Sequence, residues 1–219
     1  MLAASQRQKL DESNDSFFYE APRFVTHVDE QFIAQLTELY QERLTPNSCI
    51  LDLMSSWVSH LPGDMAFERV EGHGMNPEEL AKNPRLDSYF VQNFNENQTL
   101  PFGDRTFDAV LNTVSVQYLQ HPEAVFAEIY RVLKPGGIAI VSFSNRMFYQ
   151  KAITAWREGS EASRVALVKR YFASVKGFSI PETIANQAPA SNPLLQLMGF
   201  ASSDPFYAVI AERMEVLVG

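Results

Sequence analysis

Two apolar runs near the middle of the chain, joined by a helix and a glycine turn, limit the possible folds more than any other feature. Phe107–Thr113 is typical of a buried strand, and residues 122–133 carry apolar side chains at helical spacing. Pro135-Gly136-Gly137 should stop that helix, and residues 138–143 form the second apolar run. A strand, a helix and a second strand in this order predict a parallel βαβ unit and therefore an α/β protein.

The same alternation extends in both directions along the chain. Towards the N-terminus the pattern predicts a helix over 29–44, strands over Cys49–Leu53, 67–72 and 89–93, and a short helix over Pro77–Lys82. Towards the C-terminus it predicts helices over 146–157 and 161–173 and an irregular connection over 181–193. The runs 199–203 and 206–211 are predicted to pair as an antiparallel hairpin at the sheet edge.

The chain length and composition fit one soluble domain. With 219 residues, 46% of them hydrophobic and 20% charged, the chain is long enough for one substantial core. Residues 1–18 are mostly polar, and we expect them to form a loosely held N-terminal arm, followed by a single domain over 19–219. No sequence feature specifies an oligomeric state.

Charge and residue content argue against several classes of partner. The formal net charge is −8, whereas nucleic-acid binding needs clustered Lys and Arg, so we expect no nucleic-acid partner. No apolar run reaches the roughly 18 residues that span a bilayer, so we expect no membrane insertion. Cys49 is the only cysteine, which leaves no disulfide and no cysteine-rich metal site. These features, with no leader-like apolar segment at the N-terminus, predict a cytoplasmic protein or one in an organelle stroma.

Two motifs in the middle of the chain resemble those of a known family. The run 100–110 (LPFGDRTFDAV) and the run 131–137 (RVLKPGG) resemble elements of the class I S-adenosylmethionine (SAM)-dependent methyltransferases, particularly the type 11 group. The resemblance implies a Rossmann-like fold with a seven-stranded, mostly parallel sheet, an antiparallel C-terminal hairpin and helices on both faces. It also implies that SAM lies across the ends of the first four strands and that the substrate is a small molecule.

The resemblance assigns the cofactor to residues that follow the first four strands. In such sheets a ligand binds beyond the carboxyl ends of the strands, near the point where the strand order reverses. The cofactor-binding candidates are Asp52, Met54, Ser55, Ser56, Gly72, Gly74, Asn76, Asn93, Asn95, Glu96, Thr113 and Val114. Which of Asn93, Asn95 and Glu96 meets adenine is left open.

The first half of this motif set departs from the family pattern. The family has glycines where this chain has Met54, Ser56 and Val58, and glycine there allows a positive φ and a close approach of the ligand. The acidic residue that would bind the ribose hydroxyls falls at Gly74, which has no side chain. Asn76 or His73 could substitute in part for the missing acid, although neither restores its charge, and His73 is expected to be a solvent-facing loop residue.

Candidates for catalysis follow the fourth strand and precede the first helix. Ser115, Gln117 and Tyr118 lie in the loop that should face the reacting groups, and His27 could act as a base. Each also has a simpler interpretation, Gln117 as a partner for the loop backbone and His27 as a helix-terminal residue. Arg23 could pair with a carboxylate, and Trp57 could fill ligand space or anchor the core.

Three functions are compatible with these patterns. The first is a SAM-dependent methyltransferase that acts on a small molecule through a variant cofactor site. The second is a binding or regulatory protein that has kept the fold and lost catalysis; in that case the combined changes Met54→Gly, Ser56→Gly and Gly74→Asp should create SAM binding. The third is an enzyme that uses another nucleotide-like ligand.

Overall fold

The computed structural model describes residues 2–186 and 203–215. Its strands are β1 (Cys49–Leu53), β2 (Arg69–Gly74), β3 (Ser88–Val91), β4 (Phe107–Thr113), β5 (Leu133–Phe143), β6 (Glu182–Asn186) and β7 (Phe206–Glu212). The longer helices are α3 (Glu30–Arg43), α5 (Pro122–Val132) and α7 (Glu161–Ala173). The short ones are α1 (Ala4–Arg7), α2 (Asp15–Phe18), α4 (Pro77–Lys82) and α6 (Thr154–Arg157), with a 3₁₀ turn over Val116–Tyr118. No helix within 2–186 or 203–215 is both long and apolar enough to cross a membrane.

The seven strands form one sheet in the order β3-β2-β1-β4-β5-β7-β6. β1 pairs in parallel with both β2 and β4, while β7 runs antiparallel to β5 and to β6. The predicted fold class, a mostly parallel seven-stranded sheet with an antiparallel C-terminal pair, is confirmed. The strand order reverses between β1 and β4, so their carboxyl ends define the crevice in which such sheets bind ligands.

Apolar side chains cover both faces of the sheet. On one face α3 buries Phe32, Leu36 and Tyr40 against strand residues such as Ile50 and Leu111. On the other face α5 and α7 pack against the alternate strand residues, and the Phe126 ring lies 4.8 Å from the Phe172 ring, centroid to centroid. Because helices cover both faces of the sheet, every residue of the central strand Cys49–Leu53 is buried. This burial explains why the strand is a nearly continuous apolar run in the sequence.

The C-terminal half contains the main corrections to the predicted elements. The segment predicted as an irregular connection supplies β6, and this strand pairs with β7 over Glu182↔Ile210 to Asn186↔Phe206. The predicted strand 199–203 lies outside the described residues except Ser203, which is not in a strand. The predicted helix over 146–157 is wrong for most of its length, because only Thr154–Arg157 is helical.

The glycine turn after α5 is part of a strand and not a loop. β5 begins at Leu133, and its register against β4 shifts between Phe107↔Leu133 and Ala109↔Ile138. Gly136 has a φ of 77° in this bulge, a conformation that glycine adopts at little cost. At the other end of the sheet, β2 and β3 each lie one to two residues away from their predicted bounds.

Residues 2–18 lie against the body of the protein and are not loosely held. Arg7 forms an ion pair with Glu123 of α5 at 2.8 Å. Lys151, which is fully buried, pairs with Asp11 at 3.0 Å and with Asp15 at 3.3 Å. The division of the chain into an arm and one domain stays a prediction, but this segment contacts residues more than 100 positions away.

Candidate functional site

A partly open cavity lies at the carboxyl ends of β1, β2 and β4, where the strand order reverses. Its floor consists of residues that directly follow these strands, and its cover consists of residues 15–28. Thirteen of the sixteen predicted site residues line it: His27, Asp52, Met54, Ser55, Ser56, Gly74, Asn76, Asn93, Asn95, Thr113, Val114, Ser115 and Tyr118. Gly72, Glu96 and Gln117 do not.

The three predicted residues outside the cavity have structural surroundings. Gly72 faces Leu86, and the exposed Glu96 accepts a hydrogen bond from Asn14 at 2.6 Å. Gln117 is buried, and its side-chain nitrogen donates to the Val114 carbonyl at 2.8 Å. The Gln117 amide thus supports the loop that ends β4 from behind the cavity wall.

The loop after β1 takes a path without glycine, and His73 holds it in place. Met54 has a φ of 56°, a left-handed conformation that the family fills with glycine. The Met54 N–H donates to His73 Nδ1 at 3.0 Å, and the Ser55 N–H donates to the His73 carbonyl at 2.6 Å. The expectation of a solvent-facing His73 is therefore wrong, because the side chain is 1% exposed and stacks on Phe94 at 3.9 Å between centroids.

The hydrogen bonds of His73 fix its tautomer and its charge. Because Nδ1 accepts from Met54, the proton is on Nε2, which donates to the Gln92 carbonyl at 2.9 Å. Burial lowers the pKa of His73 to about 4, so the imidazole is neutral at physiological pH. A neutral ring thus ties β1, β2 and the segment after β3 together directly beneath the cavity.

The position of the missing ribose acid is occupied by backbone. A Cβ atom placed on Gly74 would lie 2.7 Å from the Ser55 carbonyl oxygen and 3.1 Å from Leu80 Cδ2. No side chain fits there unless the loop moves. Loss of the acid at Gly74 and loss of the glycines after β1 are thus one structural change, since the rerouted loop uses the space that the acid would need.

A carboxylate on the neighbouring helix faces the same region. Glu79, in the first turn of α4, is 8% exposed and lines the cavity. It accepts hydrogen bonds from the Ser56 hydroxyl and from the Arg23 backbone N–H, both at 2.6 Å. Asn76, the N-cap of α4, donates to the carbonyls of Tyr19 and Glu20. These contacts join the loop after β1, helix α4 and the cover.

The two asparagines after β3 differ in how completely their side-chain amides are bonded. The Asn95 side chain donates to Asp15 Oδ2 at 2.8 Å and to the Tyr118 carbonyl at 3.0 Å, and it accepts from Gln120 N–H. Asn93 Oδ1 accepts from the Asn95 N–H at 3.0 Å, whereas its Nδ2 has only a 3.4 Å contact with Asn14. The Asn93 amide nitrogen therefore has hydrogen-bonding capacity left for a ligand, whereas Asn95 serves as a structural junction.

The end of β4 presents strained backbone and an unsatisfied hydroxyl. Val114 has a φ of 44°, which is unfavourable for a β-branched residue, and such strain is concentrated at functional sites. The Ser115 hydroxyl is buried in the cavity wall and has no hydrogen-bond partner among the described residues. Thr113 shares a 2.9 Å hydrogen bond with Tyr40. Ser115 is thus free to bond a ligand.

Aromatic side chains form the wall opposite the strands. The Phe148 ring lies 5.1 Å from Phe18, 5.2 Å from His27 and 5.8 Å from Tyr118, between centroids. The Tyr118 hydroxyl accepts a hydrogen bond from Phe148 N–H at 2.8 Å. Burial raises the pKa of Tyr118 to about 12 and lowers the pKa of His27, so at neutral pH the tyrosine is protonated and the imidazole is uncharged.

Several lining residues were missed by sequence reasoning. Asp15, Tyr19 and Glu79 line the cavity and were not among the predicted site residues. Glu79 follows the predicted N-cap Asn76 by three residues, so its place in the first helical turn was available as a signal. Trp57, predicted either as a core anchor or as a filler of ligand space, lines the cavity and donates to the Val25 carbonyl at 3.1 Å.

Comparison with known proteins finds a family model and curated relatives that match part of the chain. Residues 66–141 match a type 11 family model described as "Methyltransferase domain". The chain is 30% identical over 124 residues to the biotin biosynthesis bifunctional protein BioHC of Teredinibacter turnerae, a match that covers 56% of this chain and 20% of that protein. The chain therefore spans about a fifth of the length of that curated relative.

Solved structures extend the likeness to most of the chain. A putative methyltransferase of Haloferax volcanii, solved with the Trm112 methyltransferase activator, has a TM-score of 0.61 at 16% identity over 85% of this chain and 92% of its own. The [4+2]-cyclase SpnF has a TM-score of 0.60 at 18% identity over 92% of each chain. Likeness at these identities establishes the fold. The match to the methyltransferase family model covers residues 66–141, about a third of the chain, and the likeness over the rest of the chain is one of fold.

Proposed function

We propose that this protein binds SAM in the cavity at the ends of β1, β2 and β4 and transfers its methyl group to a small molecule. The single observation that carries the proposal is the position of the cavity at the switch point, lined by ten of the twelve predicted cofactor-binding residues. The match of residues 66–141 to a methyltransferase family model supports SAM as the cofactor. When bound, SAM supplies an electrophilic methyl group on a sulfonium.

Two polar groups of the cavity are available for hydrogen bonds to such a ligand. The Asn93 amide nitrogen, with only a 3.4 Å contact to Asn14, is available where adenine would lie, and the Ser115 hydroxyl is unpartnered among the described residues at the end of β4. Buried polar atoms without partners carry a cost that a ligand removes. Cavity walls built from Met54, Val114 and Tyr118 supply apolar contact between these polar positions.

In this proposal Glu79 takes over the role of the missing ribose acid. It is the cavity carboxylate closest in sequence to Gly74, and it is fixed by Ser56 and by the Arg23 backbone. A carboxylate has about four lone-pair sites, so Glu79 can accept further hydrogen bonds from ribose hydroxyls. Glu79 lies five residues beyond Gly74, the position of the usual acid, and this shift matches a ligand displaced by the Ser55 carbonyl.

The remaining cavity groups suit the positioning of an acceptor. Methyl transfer from a sulfonium, whose thioether is a good leaving group, needs an aligned nucleophile and sometimes a base. His27, half-buried beside Phe148 and uncharged at neutral pH, is placed to accept a proton from an acceptor hydroxyl or amine. Tyr118, protonated because burial raises its pKa to about 12, acts as a hydrogen-bonding group and not as a base.

Calorimetric titration with S-adenosylhomocysteine (SAH), the product form of the cofactor, tests the proposal. We expect saturable binding by the wild-type protein and affinity about ten- to hundredfold weaker for Glu79→Gln, because hydrogen bonds to a charged acceptor are replaced by weaker ones. Glu78→Gln, an exposed neighbour on the same helix, is the matched control and should bind as the wild type does. Absence of SAH binding by the wild-type protein at its highest soluble concentration contradicts the proposal.

A second candidate function is a non-methylating role for the same fold. The observation that favours it is the position of the Ser55 carbonyl, which occupies the space where the family has the side chain of the ribose-binding acid. A structural neighbour described as a [4+2]-cyclase is a precedent for other chemistry on this architecture. Incubation with methyl-labelled SAM and a panel of hydroxyl-, amine- and carboxyl-bearing small molecules separates the two. SAH binding without label transfer to any acceptor favours the second candidate.

A further inference from the structure

We propose that Arg23 binds a carboxylate group of a small-molecule ligand in this cavity. The inference deepens the proposed function, on which it rests, by assigning one chemical feature to the ligands of the site. The carboxylate has two possible sources, the amino-acid end of the cofactor or the acceptor substrate, and both present the same chemistry to the guanidinium.

The Arg23 side chain is held rigidly in the cavity cover. Its guanidinium carbon lies 4.5 Å from the centroid of the Phe18 ring, 5.6 Å from Phe148 and 5.9 Å from Tyr19. Nη2 donates to the Phe18 carbonyl at 2.8 Å. One edge of the planar fork is thereby fixed, and the guanidinium is already arranged for a ligand before one binds.

The other edge of the same fork has no partner. Nη1 is buried from solvent and makes no hydrogen bond to any described residue. Within residues 2–186 and 203–215, no carboxylate lies within 4.0 Å of the guanidinium, so the ion pairs found there do not include Arg23. A guanidinium nitrogen that is shielded from solvent and lacks a hydrogen-bond partner is costly, and a ligand carboxylate would remove that cost.

The carboxylates that share the cavity already have other partners. Asp15 pairs with Lys9 at 2.6 Å and with Lys151, and Glu79 bonds the Arg23 backbone but not its side chain. The walls beside Nη1 are aromatic. This combination of one unmatched cation and apolar rings suits a carboxylic acid with an apolar body, because the charge is neutralised while the body packs against the rings.

Arg85 provides a matched control outside the cavity. Its guanidinium also lies over an aromatic ring, 5.6 Å from the Phe67 centroid, and its Nη2 donates to the Met65 carbonyl at 2.7 Å. It does not line the cavity. Arg85→Met thus removes a similarly anchored arginine, and any effect specific to Arg23→Met reports on the cavity.

The experiment compares the wild type, Arg23→Met, Arg23→Lys and Arg85→Met with two sets of probes. The cofactor arm measures calorimetric affinity for SAH and for 5′-methylthioadenosine, which lacks the amino-acid end. The acceptor arm measures thermal shifts by benzoate, phenylacetate and octanoate against their neutral amides, with and without SAH. Circular dichroism spectra and unfolding midpoints confirm that each variant is folded.

Two outcomes support the inference and identify the source. If the carboxylate belongs to the cofactor, Arg23→Met weakens SAH about ten- to hundredfold, leaves 5′-methylthioadenosine unchanged, and is partly rescued by Arg23→Lys. If it belongs to the acceptor, SAH affinity stays unchanged and the shift by at least one acid over its amide is lost in Arg23→Met only.

The inference is overturned if folded Arg23→Met matches the wild type and Arg85→Met with all probes. It is also overturned if the neutral amides lose as much as the acids. Failure of the proposed function is distinct, because it is the absence of SAH binding in the wild-type protein, whatever the Arg23 variants do.

Discussion

The two halves of the sheet hold the chain at the cavity by different means. In the half built from β4, α5 and β5, apolar packing and a glycine bulge follow the family pattern closely. In the half built from β1 and β2, a buried histidine and a backbone carbonyl stand where the family has glycines and an acid. The elements that determine the fold and those that determine the ligand are therefore separable within one sheet, and the first can be kept while the second changes.

The largest expected effect on stability is in the half of the sheet built from β4, α5 and β5. Phe126→Ala removes a ring that is 1% exposed and lies 4.8 Å from Phe172, centroid to centroid. We expect a loss of about 3–5 kcal/mol in the free energy of unfolding, from lost burial and a residual cavity. Urea titration followed by circular dichroism measures it. Tyr149→Ala, at a site 58% exposed, should change stability by less than about 0.5 kcal/mol. A loss below about 1 kcal/mol for Phe126→Ala would contradict the importance given to this packing.

The second-largest expected effect is on the pH dependence of stability, and it concerns His73 in the half built from β1 and β2. In the folded protein the pKa of His73 is about 4, whereas an unfolded histidine titrates near 6.5. Between these values the unfolded state binds more protons, so the wild type loses about 1.4 kcal/mol per unit as pH falls from about 6.5 to 4. His73→Gln should remove this loss, which amounts to about 3 kcal/mol over the window. Urea unfolding at several pH values measures the difference between variant and wild type, in which the other groups cancel.

Protonation of Asp52 has the opposite effect on the free energy of unfolding, over an overlapping pH range. Burial raises its pKa from 3.8 to about 6, so the folded state binds its proton more tightly and gains relative stability as pH falls from about 6 to 4. With His73 replaced, this gain is no longer offset. If the difference between His73→Gln and the wild type does not change between pH 6.5 and 4, the histidine is not neutral in the folded protein.

A smaller effect concerns the acid that the family would place at position 74. Gly74→Asp should lower stability by about 1–3 kcal/mol and weaken SAH binding, because its Cβ would lie 2.7 Å from the Ser55 carbonyl. The sequence-based expectation that this change, with glycines in the loop, restores binding is revised by this contact. Gly63→Asp, where nothing lies within 4 Å of the added Cβ, is the control and should be nearly neutral. Unfolding and calorimetry measure both, and tighter SAH binding by Gly74→Asp would contradict the structure of this loop.

The smallest effect tests the backbone of the same loop. Met54→Gly should change stability by less than about 1 kcal/mol, because relief of the positive φ of 56° offsets lost side-chain packing. SAH affinity should stay within about threefold of the wild type, since the loop path is set by His73. A thermal melt and a calorimetric titration check this. A large gain in affinity would mean that the Met54 side chain, and not the loop path, separates this half from the family.

Sequence reasoning reached the fold because the fold depends on local patterns. The runs 107–113 and 131–137 determine a strand, a helix and a strand by period and turn residues alone, and neighbouring segments extend the same alternation. β6 was missed because Glu182–Asn186 is a half-exposed edge strand with no apolar run, and its formation depends on pairing with β7. Residues 146–153 contain no breaker, yet they turn irregularly where Phe148 meets the cavity cover.

The candidate site was predictable in position but not in contacts. Residues after β1, β2 and β4 reach the cavity because the carboxyl ends of parallel strands meet at one edge. His73 was misjudged because alternation along β2 gives no sign that its ring bonds the next loop. Tyr19, Arg23 and Phe148 come together through tertiary contacts between segments more than 100 residues apart, which no local pattern records.

The docking of residues 2–18 has a consequence for the order of folding. Asp15 belongs to the cavity cover, and besides its local partner Lys9 it pairs with Lys151, which is 136 positions later in the chain. During synthesis the cover therefore lacks this buried ion pair until most of the sheet has left the ribosome, and contacts of such long sequence separation form slowly. A refolding experiment that follows far-ultraviolet circular dichroism and SAH binding together should accordingly find that secondary structure returns before binding competence does.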